Sequence, residues 1–305
     1  MDKNSEYARQ VQLLVRLLPL VAQQECFALK GGTAINLFVR GLPRLSVDID
    51  LTYLPLEPRD KALANINTAL VSIKTSVEKA LTDVSVRFSG GRDSQRLVIQ
   101  SKTCQVKIEL SPVLRGTVHP PILLEIDALV EKMFGYAEMQ VVSFNDLYAG
   151  KLCAALDRQH PRDLFDIKLL LDHEGLSQEL IQTFIVYLIS HPRPIVELLA
   201  PNTVDIKDIF EVEFGTMARV PVTLDGLIDV QKTLAQRINE YLTDKQRQFL
   251  MSFKARKPDW ALLGVEKAQS LPAVKWKMIN LNKMSDQKHE TAMKKLEEVL
   301  FANKA

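Results

Sequence analysis

Two aspartates one residue apart, Asp48 and Asp50, follow closely on a glycine pair, Gly31 and Gly32, with Thr33 behind it. The run Phe27-Ala28-Leu29 before the glycines has the character of a buried strand, and Ala34–Val39 after them has the character of a short helix. Glycines between a strand and a helix start expose unpaired backbone N–H groups at the positive end of a helix dipole, a setting that favours an anion such as phosphate. Residues two apart on a strand point to the same face, so Asp48 and Asp50 should project together with Ile49 turned into a core. Paired carboxylates repel, and one keeps a proton unless a cation lies between them. Mg²⁺ (or Mn²⁺) takes oxygen ligands and is commonly shared between one or two carboxylates and substrate phosphates. Two such ions can activate an attacking oxygen and stabilise a leaving one. The combination points to phosphoryl or nucleotidyl transfer from a nucleoside triphosphate. It is not a Walker loop, since no G-x-x-x-x-G-K-[ST] occurs. Asp-x-Asp alone also suits a solvated strand end, and Gly-Gly alone suits a plain turn.

The elements that must position these groups follow from periodicity. Residues from about 4 to 24 carry Val11, Leu14, Val15, Leu18 and Val21 along one side of a helix. Pro55 and Pro58 mark a loop, and residues from about 59 to 81 form a second helix with Leu63, Ile66, Leu70 and Ile73 as its stripe. Ser89-Gly-Gly-Arg92 reads as a turn between strands Val84–Phe88 and Arg96–Gln100. A further strand, Cys104–Leu110, alternates Val106, Ile108 and Leu110 with Gln105, Lys107 and Glu109. Pro120-Pro121 breaks the chain, and strand-like Met139–Val142 closes the mixed segment. Beyond Ser143, which with Asp146 resembles a capping pair, helices are expected at about 144–157, 161–173, 177–190, 206–213, 224–240 and 243–254. A charged amphipathic helix is expected from about Ser285. The fold class is therefore mixed α/β followed by an all-α C-terminal part, with domains at 1–142 and 143–305.

Bulk properties bound the function. The 305 residues are 47% hydrophobic and 25% charged, an ordinary globular balance. A net charge of +2 provides no global attraction for nucleic acid, so any RNA contact must be a local patch. Cys26, Cys104 and Cys153 are too few and too scattered for a zinc knuckle or disulfide framework, and they suit a reducing cytoplasm. The polar start Met1–Glu6 and the Arg16 interruption of the apolar stretch behind it argue against an export signal or membrane anchor.

Gly-Gly-Thr, a short helix and then Arg44-Leu-Ser-Val-Asp-Ile-Asp-Leu51 resemble the AbiEii/AbiGii-type toxin nucleotidyltransferases, within the DNA polymerase β-like superfamily. Lys107-Ile-Glu109 resembles the family's strand motif. Lys151 through Asp166 resembles its helical lysine and aspartate motifs, with Arg-Asp-Leu-Phe-Asp as the specific piece. Pro258–Leu263 and Pro272–Asn280 resemble its C-terminal region more weakly. Thr33 stands where the superfamily usually has serine, and it keeps the hydroxyl.

The resemblance implies a polymerase β-like core in which Gly31, Gly32 and Thr33 cradle phosphates and Asp48 and Asp50 bind metal. It places Glu109 as a third carboxylate or general base; from the residues alone, Glu109 is equally well a Lys107–Glu109 pair on a polar strand face. It makes Lys151 the cation that meets the departing pyrophosphate, where a snorkelling surface lysine is the commoner fate. It makes Asp163 the essential aspartate that orients Lys151 or the nucleotide, with Asp166 second. Asp163 alone is also explained as an acid in a first helical turn, behind Pro161 at the first helical position. It further implies an NTP substrate, a tRNA 3′ end as RNA acceptor, growth arrest, and a cognate antitoxin of a type IV toxin–antitoxin or abortive-infection pair. Ser46, two before Asp48, should face the same site, where a phosphate would disturb metal binding. Arg40 and Arg44 are candidates for polyphosphate or RNA contact. Lys275, Lys277, Lys283, Lys288, Lys294 and Lys295 around Trp276 form either an RNA patch or a solvated face with interspersed acids. Two other readings remain: transfer to a small molecule or protein hydroxyl, and a non-catalytic module that binds nucleotide or RNA.

Overall fold

The structure is a computed structural model that describes residues 6–89 and 95–301. The turn expected at Ser89–Arg92 lies, from Gly90 onward, outside the described residues. The chain divides into two compact units, residues 1–143 with 217–220, and residues 144–216 with 221–305.

The first unit opens with helix α1 (Glu6–Ala22), whose Val11, Leu14, Leu17, Leu18 and Val21 have no solvent exposure. Each such burial contributes roughly 1.5–3 kcal/mol. Strand β1 (Phe27–Lys30) leads directly into the short helix α2 (Gly31–Thr33), which continues as a π-helical turn over Ala34–Val39. Then follow β2 (Asp48–Tyr53), α3 (Arg59–Ala80), β3 (Val84–Ser89), β4 (Gln95–Ser101), β5 (Gln105–Leu110), β6 (Ile122–Glu125), α4 (Ala128–Phe134) and β7 (Glu138–Val141). The seven strands form one mixed sheet in the order β3-β4-β5-β2-β1-β7-β6.

β2 lies mid-sheet, antiparallel to β1 and parallel to β5. Its alternation turns Ile49 and Leu51 inward at zero exposure and leaves Asp48 and Asp50 half-buried on the opposite face. In β5, Val106, Ile108 and Leu110 are buried while Lys107 and Glu109 share the half-buried face. Strand β6 and helix α4 were not foreseen from the sequence. Pro120-Pro121 ends just before a strand that lies at the sheet edge with two exposed apolar residues, Ile122 and Leu123, so no alternation marks it. Asp127 caps α4 by accepting from the Leu129 N–H.

Every regular element described in the second unit is helical: α5 (Phe144–Arg158), α6 (Pro161–His173), α7 (Gln178–Ser190), α8 (Ile195–Leu199), α9 (Lys207–Ile209) continuing as a π turn to Phe214, α10 (Leu224–Tyr241), α11 (Asp244–Lys254), α12 (Trp260–Leu263), a 3₁₀ turn (Glu266–Ser270), α13 (Pro272–Asn282) and α14 (Asp286–Phe301). The boundaries follow capping chemistry. Ser177, Thr223 and Thr243 each accept a backbone N–H at a helix start, and Gln246 completes a capping box with Thr243. The segment Met217–Val220 belongs to the first unit, where Leu45 N–H donates to Met217 O at 2.9 Å and Arg219 N–H donates to Pro43 O at 2.8 Å. Of the described residues, no helix is long and apolar enough to cross a membrane.

Candidate active site

The glycine pair lies against the acidic strand. Gly31 has φ +72°, the left-handed region open to glycine, and a β-carbon there would lie 2.5 Å from Asp50 Oδ2. A β-carbon on Gly32 would lie 2.7 Å from Arg44 Nη2 and 2.9 Å from Ser46 Oγ. The backbone at Gly31 and Gly32 therefore runs flush against a carboxylate on one side and a guanidinium on the other, with no room for side chains. Thr33 is fully buried; its hydroxyl lies 3.0 Å from Ser46 Oγ and donates to Asp48 O. This ties the glycine turn to the start of β2. Asn36, also fully buried, donates from Nδ2 to Gly32 O at 2.9 Å and accepts from the Arg44 N–H at 3.3 Å. The π turn thus clamps the loop from its far side. π-helical turns recur at functional sites.

Two expectations change here. Arg44 is 2% exposed and donates from Nη1 to Leu45 O at 2.8 Å, so it is an internal cation behind Gly32 and not a surface contact for RNA. Ser46 is buried at 9% exposure with its hydroxyl against Thr33, so a modifying enzyme would first have to open this loop.

Strand register aligns charges across the sheet. Lys30 on β1 pairs with Asp50 on β2, Asp50 pairs with Glu109 on β5, and Glu109 pairs with Arg96 on β4. Directly paired residues share a face. The result is a row with a cation at each end and two carboxylates between. Like charges opposite each other destabilise a sheet, and the flanking cations offset that. Arg96 Nε lies 2.8 Å from Glu109 Oε1, an ion pair lacking the alignment of a hydrogen bond. Burial pulls the pKa of Lys30 below its ordinary value, and Asp50 opposes that pull. Glu109 stands beside Asp50, yet among the described residues no group of three or more His, Cys, Asp or Glu is gathered so that it could hold a metal ion. Register sets Glu109 beside Asp50, and its carboxylate is paired with Arg96. Asp48 and Asp50 lie half-buried on one face of β2, and carboxylate oxygens are the ligand type that Mg²⁺ takes.

In the second unit, the residues the sequence singled out also converge. Lys151 Nζ lies 3.0 Å from Asp163 Oδ1 and 2.9 Å from Asp166 Oδ2, and Arg158 Nη2 lies 2.9 Å from Asp163 Oδ2. Lys151 is 7% exposed, Asp163 3% and Asp166 0%. Lys151 is therefore not a surface lysine; it is committed to two carboxylates. Burial raises the pKa of Asp163, but Lys151 and Arg158 overcome it, and the net displacement is downward. His160 caps α6 by accepting the Arg162 N–H on Nδ1, ahead of Pro161. Burial and the neighbouring Arg162 hold its imidazole pKa below the ordinary value, which suits a neutral acceptor. Asp146 is buried and accepts from Tyr187 Oη at 3.0 Å, so it bridges α5 and α7 in addition to starting α5.

The C-terminal lysines do not act together. Lys277 is buried, and its ammonium donates to the carbonyls of His191, Pro192 and Arg193 after the end of α7. Burial and Lys254 lower its pKa to about 8. Lys275, Lys283, Lys288, Lys294, Lys295 and Trp276 are exposed. No role for Lys30 or Arg96 is legible in the residues alone, because their place beside the acids depends on strand pairing; Arg96, thirteen residues before Glu109 in sequence, carries no local signal of it.

No curated protein matches the chain. A structural relative is MenT4, a nucleotidyltransferase toxin from Mycobacterium tuberculosis H37Rv, with a TM-score of 0.58 and 15% identity over 97% of this chain and 95% of that one. At that identity the likeness shows the fold. The model of the family described as nucleotidyl transferase AbiEii toxin, type IV TA system, matches residues 12–277. With the match covering most of its length, the chain belongs to the AbiEii family of nucleotidyltransferase toxins of type IV toxin–antitoxin systems.

Proposed function

We propose that this toxin transfers a nucleoside monophosphate from an NTP to the 3′ hydroxyl of a tRNA and releases pyrophosphate. The observation that carries the reading is the left-handed Gly31 backbone directly beneath the Asp50 carboxylate, which joins a cradle for phosphate to an acidic pair. Gly31, Gly32 and Thr33 hold the triphosphate, while the Arg44 guanidinium packed against Gly32 adds positive charge. Asp48 and Asp50 hold Mg²⁺ (or Mn²⁺), which when bound supplies charge neutralisation and Lewis acidity at the phosphates. Glu109 takes the proton from the attacking hydroxyl. The bond from the α-phosphorus to the pyrophosphate oxygen breaks as the bond to the acceptor oxygen forms. Asp163, with Asp166 second, holds Lys151 in one position. We read the two units as a polymerase β-like domain, residues 1–142, and a helical domain, residues 143–305, with Met217–Val220 returned to the first. The setting is the cytoplasm, where three free cysteines and a tRNA substrate belong together. A cognate antitoxin restrains the activity.

The test is incubation with Mg²⁺, each α-labelled NTP in turn, and bulk tRNA, protein or metabolite pools, comparing wild type with Asp48→Ala. Label in the tRNA fraction, lost by at least a hundredfold in the variant, supports the reading. Label in protein or metabolites alone, or equal labelling by the variant, overturns it.

A further inference from the structure

The charge row across the sheet has two unlike flanks. On the β1 side of Asp50 lie Lys30 and the glycine turn, a flank already suited to a triphosphate. On the other side lie Glu109 and then Arg96, one strand farther on. Lys30 and Arg96 are three strand spacings apart, about 14 Å, too far for one phosphate group to touch both. Arg96 is half-buried, with its side chain one-third exposed, and among the described residues its guanidinium pairs with Glu109, approaching it through Nε at 2.8 Å. The two terminal nitrogens, which carry the planar fork that matches a phosphate, face no described partner. A guanidinium with one nitrogen on a carboxylate and its fork open is built to take a second anion.

We infer that Arg96 binds a backbone phosphate of the RNA acceptor, on the flank of the acidic row opposite the triphosphate cradle. This rests on the tRNA-directed reading above and assigns the side from which the acceptor enters. The acceptor hydroxyl then arrives over Glu109, the group read as its base, with Arg96 fixing the neighbouring phosphate. A hydroxyl on a molecule without that phosphate gains nothing from Arg96, so the residue also selects for nucleic acid. The role is one of binding and positioning; Arg96 does not take part in bond making.

The experiment compares wild type, Arg96→Gln, Arg96→Lys and Glu109→Gln in binding of fluorescent tRNA across a salt series, and measures KM separately for tRNA and NTP with wild type and Arg96→Gln. Arg96→Gln should weaken tRNA binding about five- to tenfold at low salt, flatten the log K against log salt slope by about one, and raise KM for tRNA while leaving KM for NTP within about twofold. Arg96→Lys keeps the charge and should lose less. Glu109→Gln removes the same ion pair but frees the cation, so its tRNA binding should equal or exceed that of wild type; this arm decides the matter even if Arg96→Gln folds poorly. Unchanged tRNA affinity in Arg96→Gln, or a loss in Glu109→Gln as large as in Arg96→Gln, overturns the assignment while wild-type labelling of tRNA leaves the functional reading standing. A wild type that neither binds nor labels tRNA overturns both.

Discussion

At Gly31 a single missing side chain decides what the loop can hold. Its φ of +72° strains any L-residue, and a β-carbon would press into Asp50 Oδ2 at 2.5 Å. Gly31→Ala is expected to cost about 1–2 kcal/mol of stability from backbone strain. Its effect on nucleotidyl transfer should be far larger, on the order of a hundredfold, because the carboxylate must move and a displacement of about 1 Å at a reacting centre is expensive. Urea unfolding against labelled-NTP turnover separates the two effects; parallel small losses would mean the backbone there does not approach substrate. Asp50 and Glu109 show the same economy of position, two acids made tolerable in one row by Lys30 and Arg96 at its ends.

Helices α5 and α6 are joined by the buried set Lys151, Asp163 and Asp166, with the exposed Arg158 pairing to Asp163 from outside. Asp163→Asn leaves Lys151 paired with Asp166 but removes its second carboxylate and the partner of Arg158, and is expected to cost about 1.5–3 kcal/mol in chemical unfolding. The pH dependence has a definite sign. Asp163 titrates below its ordinary value of 3.8 in the folded chain, so the unfolded chain binds the proton more tightly. The stabilisation it contributes is complete above about pH 3.8 and is lost as pH falls through the lower folded value. Stability measured from pH 6 down to 2.5 should therefore fall more steeply in wild type than in Asp163→Asn; identical slopes would mean the Asp163 pairing has little weight. The α13 lysine Lys277 works differently, closing the carbonyl end of α7 through three acceptors, which is why its burial is tolerated.

For the molecule as a whole, the net charge of +2 means that RNA recognition has to come from placed groups and not from a general field. As a type IV toxin, the protein is expected to arrest growth when induced, and a cognate antitoxin to relieve the arrest. Asp48→Ala should abolish the arrest at equal protein abundance, and colony counts after induction with parallel immunoblots check this. Arrest that persists in Asp48→Ala would point to toxicity by binding alone.

The local half of this architecture was legible in the residues themselves. Strand, glycine turn and helix follow one another within Phe27–Val39; Asp48 and Asp50 must share a face because strand side chains alternate; and Pro161, Ser177 and Thr243 announce helix starts, since caps act on backbone groups a few residues away. Weakly patterned β6 escaped notice because an edge strand with exposed apolar residues has no period to read. What only the tertiary structure decided is which distant groups meet. The row Lys30–Asp50–Glu109–Arg96 depends on pairing four strands from residues 27 to 110, the burial of Lys151 on two carboxylates arriving from the next helix, and that of Lys277 on carbonyls about 85 residues earlier. Neighbours along the chain set backbone conformation and facing; burial, charge pairing and register are set by packing, and no short stretch of sequence carries that information.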